Sequence, residues 1–332
     1  MFVRKAILKN YTCFKDIQLE FCPGINVFIG ENGTGKTHVL KALYSACQTQ
    51  NSSFAYKIVC TMMPDNNNLS RLLTKNQRSH ACEIAVIAED ENTSQEISIA
   101  ASFNDKTTNW DAEENGIEEW KKAFRCVNSV FIPAKELLPN HNYIRLDDTY
   151  LDIINAAKRE IPLDDDREAE NLALEAIEHI MYGTMIYDED RDEFYLKSGR
   201  SKQEFSLVAD GIQKIGLLWR LIKNKTLRAG SILFWDEPES GINPTYISTL
   251  VEILLALQRI GVQIFLSTHN YMLATYFDVR KTAEDTILFH SLAHEKGNNN
   301  ILCEHAQKFA DLKNNAIITA FNKLLDEIYQ MQ

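Results

Sequence analysis

The run Gly30-Glu31-Asn32-Gly33-Thr34-Gly35-Lys36-Thr37 constrains this chain more than any other stretch. It follows an apolar strand, Ile25 to Ile29, and precedes Val39, Leu40, Leu43 and Ala46 at helical spacing. A glycine-rich turn between a buried strand and an amphipathic helix is a cradle for phosphate. Its backbone N–H groups turn inward, and the helix N-terminus adds its positive end. In the pattern GxxxxGK[ST], residues Gly30, Glu31, Asn32, Gly33, Thr34 and Gly35 wrap the phosphates. Lys36 then reaches the β/γ oxygens and Thr37 ligates Mg2+.

Two further strands end in polar residues. Ile232 to Trp235 runs into Asp236, Glu237, Pro238 and Glu239. A carboxylate at the end of a buried strand is costly unless a cation or donors compensate, and Mg2+ on ATP would do so. Asp236 is therefore expected in the Mg2+ shell. Glu237, one residue on, would face the γ-phosphate and orient or deprotonate the attacking water. The third strand, Phe265-Leu266-Ser267-Thr268, exits at His269 and Asn270. A lone histidine is commonly a structural hydrogen-bonder. The strand, helix, strand spacing puts this one at the carboxyl edge of the sheet beside Glu237, where ligands bind in open α/β sheets. There it can donate to the γ-phosphate. Catalytic candidates are thus Glu237, His269 and Lys36, with ATP and Mg2+ as ligands.

With 332 residues, 45% of them hydrophobic and 24% charged, the chain fits one soluble domain with a single good-sized core. No apolar run approaches the roughly 18 residues of a membrane helix, and the opening MFVRKAILKNYTCF lacks a secretory pattern. A cytoplasmic protein away from membranes is expected. Seven cysteines occur without a CxxC pair, which argues against a zinc site or a disulfide framework. The net charge of −11 opposes sequence-independent DNA binding by the whole surface and leaves only a local basic groove for it. The acidic run at 164–170 reads as a solvated loop or helix start.

Along the chain, residues 2–30 alternate as short strands, and residues 49–80 are polar and Asn-rich. Ile84 to Asn104 reads as an antiparallel meander inserted into the core, and Val127 to Pro133 as another strand. Tyr150 to Met181 turns helical, and 183–208 looks like a hairpin. The strands at 231–235 and 262–267, joined by a helix, imply a parallel βαβ unit. The tail reads as a strand pair and a helix, NNAIITAFNKLLDEIY.

Four blocks in this order, AILKNYTCFKDIQLEFCPGINVFIGENGTGKTHVLKAL, SLVADGIQKIGLL, WDEPESGINP and FLSTHN, resemble the ABC-class ATPase heads of the SMC, RecF and OLD kind. The likeness is greatest to small prokaryotic AAA-type proteins related to OLD ATPases, and it spans nearly the whole chain. It implies an α/β P-loop NTPase of the ABC-ATPase head type, with a mainly parallel core sheet, an antiparallel β-meander and an inserted helical lobe. The expected organisation is one discontinuous domain: 1–135 with the phosphate loop and meander, 136–205 as helical insertion and hairpin, and 206–332 for the remaining motifs.

The resemblance further implies that Asp210 and Gly211 belong to a signature loop reaching the nucleotide of a second subunit. The usual signature serine is Ala209 here, with Ser206 as a candidate substitute. Asn243 stands for the usual aspartate of the D-loop, Ser240 to Asn243. No glutamine follows Ile132-Pro133, so either Lys135 or Glu136 takes the Q-loop role. Tyr11 or Phe14 would stack on adenine, or both simply pack.

The implied activity is ATP hydrolysis by a homodimer that closes on two nucleotides, with higher assembly open. Such a switch would control a separate effector, a nuclease or other toxin, as in prokaryotic anti-phage systems. The tail has no acidic cluster like a Toprim nuclease. An ATPase that clamps DNA directly is the alternative, but it usually needs coiled-coil arms or a basic path, and neither is evident. A transporter subunit would need an LSGGQ-like signature and a standard Q-loop. A non-catalytic nucleotide sensor would not need Lys36, Thr37, Asp236 and Glu237 all intact.

Overall fold

Among the residues described by the computed structural model (1–75, 80–91, 93–134, 147–162, 168–295, 297–298 and 300–330), a six-stranded sheet forms the centre. Its order is Ile301–Ala306, Ile287–His294, Ile25–Gly30, Gln263–Ser267, Ile232–Asp236 and Ser129–Ile132. All neighbours run parallel except Ile301–Ala306, which pairs antiparallel with Ile287–His294. The sheet is therefore mainly parallel, as expected for the fold. Lys135 and Glu136, and Asp164 to Arg167 of the acidic run, lie outside the described residues.

Strand alternation gives this sheet two different faces. Phe28, Phe131, Phe234 and Phe265 point to one side, while Val27, Ile132, Leu233, Trp235, Ile264 and Leu266 point to the other. Phe234 is in register with both Phe131 and Phe265. Its ring stacks on theirs with centroids 6.4 and 5.1 Å apart. Tyr44, from the helix Lys36–Cys47, meets Phe131 and Phe234 edge-on at 5.5 and 5.8 Å. This aromatic layer seats the phosphate-loop helix against the strand that ends at Asp236.

Beyond that helix lies a five-stranded antiparallel sheet, ordered Phe14–Glu20, Phe2–Tyr11, Cys82–Glu89, Glu96–Phe103 and Glu113–Asn115. The meander read at 84–104 is present, but it is not a separate element. Cys82–Glu89 pairs with Phe2–Tyr11, so the meander extends the N-terminal hairpin into one sheet. The polar stretch before it contains a helix, Phe54–Met62, whose N-cap Ser53 accepts the Tyr56 N–H.

The aliphatic face is covered by helices Asp148–Lys158, Glu168–Met181, Asp210–Lys223, Ile247–Arg259 and Tyr271–Arg280. The hairpin at 183–208 gains a third strand, giving Thr184–Asp188, Glu193–Ser198 and Ser201–Glu204. The strand Ile287–His294 inserts beside Ile25–Gly30 in the central sheet. Helix Ala316–Gln330 follows with no fully buried residue.

Candidate functional site

Helix Lys36–Cys47 begins at Gly35, whose φ is +91°. A Cβ there would fall 2.4 Å from the Phe14 ring and 2.5 Å from Cys13 Sγ, so no larger residue fits without displacing them. No side chain caps this helix, and its first turn holds no acidic residue. The orphan N–H groups of that turn remain available to an anion. Lys36 Nζ donates to the carbonyls of Gly30 and Glu31 at 2.9 and 3.0 Å. Burial pushes its ammonium down to about 8, opposed by Asp236 and then Glu237. A phosphate beside it would restore the charged form.

Thr37 Oγ1 donates to Asp236 Oδ2 at 2.9 Å, and Ser267 Oγ donates to Asp236 Oδ1. Asp236 and Ser267 are register partners on adjacent parallel strands. Glu237, the next residue, leaves the sheet in the left-handed region at φ +49°, an uncommon conformation for a residue with a Cβ. Its N–H still donates to the Ser267 carbonyl at 3.1 Å. His269 Nε2 lies 4.0 Å from Glu237 Oε1. Burial and the nearby Lys36 lower the imidazole pKa, against a smaller pull from Glu237 and Asp236. The ring is therefore neutral at pH 7, with one nitrogen able to donate.

Asn32, Gly33, Gly35, Lys36, Thr37, His38, Asp236, Glu237, Ser267 and His269 line one cavity of about 220 Å3 at the carboxyl ends of the parallel strands. Sequence reasoning missed Ser267 and His38. Neither carries a motif signal of its own. Thr37 and Asp236 offer two hard oxygens within hydrogen-bond reach of each other. That suits Mg2+, which takes one or two protein oxygens and completes its shell with phosphate and water. Among the described residues no group of three or more His, Cys, Asp or Glu side chains could hold a metal ion. A metal here would depend on the nucleotide's own oxygens.

Asp210 and Gly211 do not line this cavity. They start helix Asp210–Lys223, and Gly211 packs so closely on the turn Ser240 to Asn243 that a Cβ would fall 2.4 Å from the Gly241 carbonyl. Ala209 caps that helix without a side-chain bond, and Ser206 is exposed on the preceding turn Phe205–Leu207. Asn243 Oδ1 accepts from the backbone N–H and hydroxyl of Thr245, so its side chain is used locally. Tyr11 and Phe14 are both fully buried, which leaves neither face for adenine and settles that alternative in favour of packing.

A family profile described as "AAA domain, putative AbiEii toxin, Type IV TA system" matches residues 89–274, more than half of the chain. The chain belongs to this family. This AAA-domain chain is also similar over 44 residues, at 41% identity, to the DNA replication and repair protein RecF of Clostridium perfringens, a match covering 13% of the chain and 12% of that protein. RecF of Cytophaga hutchinsonii matches at 40% over 50 residues, 15% of the chain and 13% of that protein. These segments span about an eighth of the curated relatives' length. Among solved structures, the SMC head domain from Thermotoga maritima superposes with a TM-score of 0.56 at 14% identity, covering 92% of this chain and 99% of that one. An Smc head with an extended coiled coil, bound to the C-terminal domain of ScpA and derived from Pyrococcus furiosus, gives 0.58 at 12% identity, covering 99% of each chain. The fold is that of a P-loop ATPase head of the RecF/SMC-like kind. Among the described residues, no helix is long and apolar enough to cross a membrane.

Proposed function

We propose that residues 1–332 act as one ATP-hydrolysing head that dimerises around two nucleotides and so switches a partner protein. The convergence of Lys36, Thr37, Asp236, Glu237 and His269 on one cavity carries this reading. Lys36 and the Gly30 to Gly35 backbone bind the phosphates. Thr37 and Asp236 would hold Mg2+, which neutralises charge on the β- and γ-oxygens when bound. Glu237 orients the attacking water and accepts its proton, and the neutral His269 donates to the γ-phosphate. Asp210 and Gly211, at a helix N-terminus that no side chain caps and that lies away from the chain's own cavity, would complete the site of a second copy.

We further propose a role beside a separate effector in anti-phage defence in the cytoplasm; the family description, which names a "putative AbiEii toxin, Type IV TA system", supports only that the chain works within a multi-component system. A direct DNA clamp of the RecF kind is the second reading, favoured by the short RecF matches and opposed by the net charge of −11.

Steady-state turnover tests the core of this. Lys36→Ala and Glu237→Gln are each expected to lower kcat by at least a hundredfold, on the order of 3 kcal/mol of transition-state stabilisation. Unchanged turnover in Glu237→Gln removes Glu237 from the role of base. Stimulation by DNA, with tight DNA binding at physiological salt, would favour the clamp.

A further inference from the structure

Glu239 has no part in the reaction as proposed, yet its carboxylate is built into the site. Oε1 accepts the Thr268 hydroxyl at 2.7 Å and the His269 backbone N–H at 3.2 Å. Among the described residues Oε2 is buried without a hydrogen-bond partner. Thr268 is itself fully buried, and its hydroxyl accepts the Asn270 N–H at 2.9 Å. Asn270 in turn caps helix Tyr271–Arg280 by accepting from the Leu273 N–H.

The sheet holds this segment only as far as Thr268. Glu237 N–H to the Ser267 carbonyl and Thr268 N–H to the Phe28 carbonyl, at 3.1 and 2.9 Å, tie the strand exits to their neighbours. The next amide, that of His269, goes instead to Glu239. Burial strengthens this bond but also pushes the Glu239 carboxyl above its ordinary range, opposed first by the Thr268 hydroxyl. The turn that presents Glu239 is fixed from its other side. Ser240 N–H donates to the Glu237 carbonyl at 3.1 Å, and Lys214 Nζ donates to the Ser240 and Ala134 carbonyls at 3.0 and 2.8 Å. Lys214 is buried on helix Asp210–Lys223, where Glu239 is the charge that most favours its ammonium against burial.

We infer that Glu239 is a positioning residue: through Oε1 it fixes the backbone of His269, and with it the imidazole, relative to Glu237 and the γ-phosphate. This rests on the ATP-hydrolysing reading above and adds to it a residue that does not line the cavity. The turn containing Glu239 also touches the signature helix through Lys214. His269 is thereby held by a segment that abuts the dimerisation elements.

The test compares Glu239→Ala and Glu239→Gln with wild type. One readout is amide hydrogen exchange at His269, and the other is the split between kcat and KM for ATP. Gln keeps an acceptor at Oε1 and Ala does not. Glu239→Ala is expected to speed exchange at the His269 amide at least tenfold and to lower kcat about ten- to a hundredfold, with KM within about twofold. Glu239→Gln is expected to restore most of both. If Glu239→Ala does not fold, Thr268→Val, which removes one of the two donors to Oε1, is expected to move both readouts the same way. Wild-type exchange and kcat in the variant that folds overturn the inference, as does a Gln variant as impaired as Ala. A wild-type protein without turnover defeats the ATPase reading instead, and the two failures are told apart by that control.

Discussion

Thr37 Oγ1 and Asp236 Oδ2 lie 2.9 Å apart, joining the phosphate-loop helix to a strand two places away from its own in the sheet. The strand between them contributes Ser267, which donates to the other oxygen of Asp236. Three chain segments remote in sequence thus meet at one carboxylate. Hydroxyl and carboxylate bond to each other where both would turn to a divalent cation.

Metal support should therefore be visible in stability. Wild type with saturating ATP is expected to gain on the order of 3 kcal/mol when Mg2+ is present at about 100 Kd of the complex, and to lose most of that gain on chelation. Thr37→Ala is expected to gain little from Mg2+. Thermal melts with and without EDTA check this, and an equal Mg2+ gain in wild type and Thr37→Ala would remove Thr37 from the metal shell.

On the proposed reading Lys36 should make ATP binding depend on pH. Its free-state pKa is held down to about 8 by burial, and bound phosphates favour the charged form, so the bound pKa is higher. Affinity is then full below about pH 8 and falls as pH rises through that value. The slope approaches about tenfold per pH unit until the bound pKa is reached. Titrations of ATP binding across about 1.5 pH units on either side of pH 8 are expected to show this loss. Lys36→Arg is expected to flatten it, because a guanidinium stays charged throughout.

Glu237 sits in the left-handed region at φ +49°, where a Cβ costs on the order of 1 kcal/mol that glycine avoids, less the entropy glycine loses on folding. Glu237→Gly is expected to stabilise the nucleotide-free protein by up to about 1 kcal/mol while abolishing turnover. Glu237→Gln should leave stability unchanged and also abolish turnover. Urea denaturation separates the two, and a destabilised Gly variant would show that the backbone there is not strained.

The three strand exits were legible because each carries its signal locally: an apolar run ending in glycines, in two carboxylates, or in His269. Their meeting was legible too, since parallel strands joined by helices bring carboxyl ends to one edge. What the sequence concealed depends on distant partners. Cys82–Glu89 reads as a hairpin strand whether it stands alone or joins Phe2–Tyr11, because the pairing spans more than seventy residues. Helix Phe54–Met62 is masked by the Asn-rich stretch around it. Nothing in the tail's alternation says that Ile287–His294 enters the central sheet beside the phosphate-loop strand. Tyr11 and Phe14 carry aromatic rings in a suggestive place, and only packing reveals that both are buried. Glu239 was legible as an acid after a strand, but its bonds to Thr268 and His269 appear only once the neighbouring strand is in place.

The claim that two heads close on nucleotide is tested most directly by the mass of Glu237→Gln in solution, measured by light scattering with and without ATP and Mg2+. The account predicts a species near the 38.0 kDa chain mass without nucleotide and at least twice that mass with it. A mass that stays at one chain under ATP concentrations shown to saturate binding would contradict it.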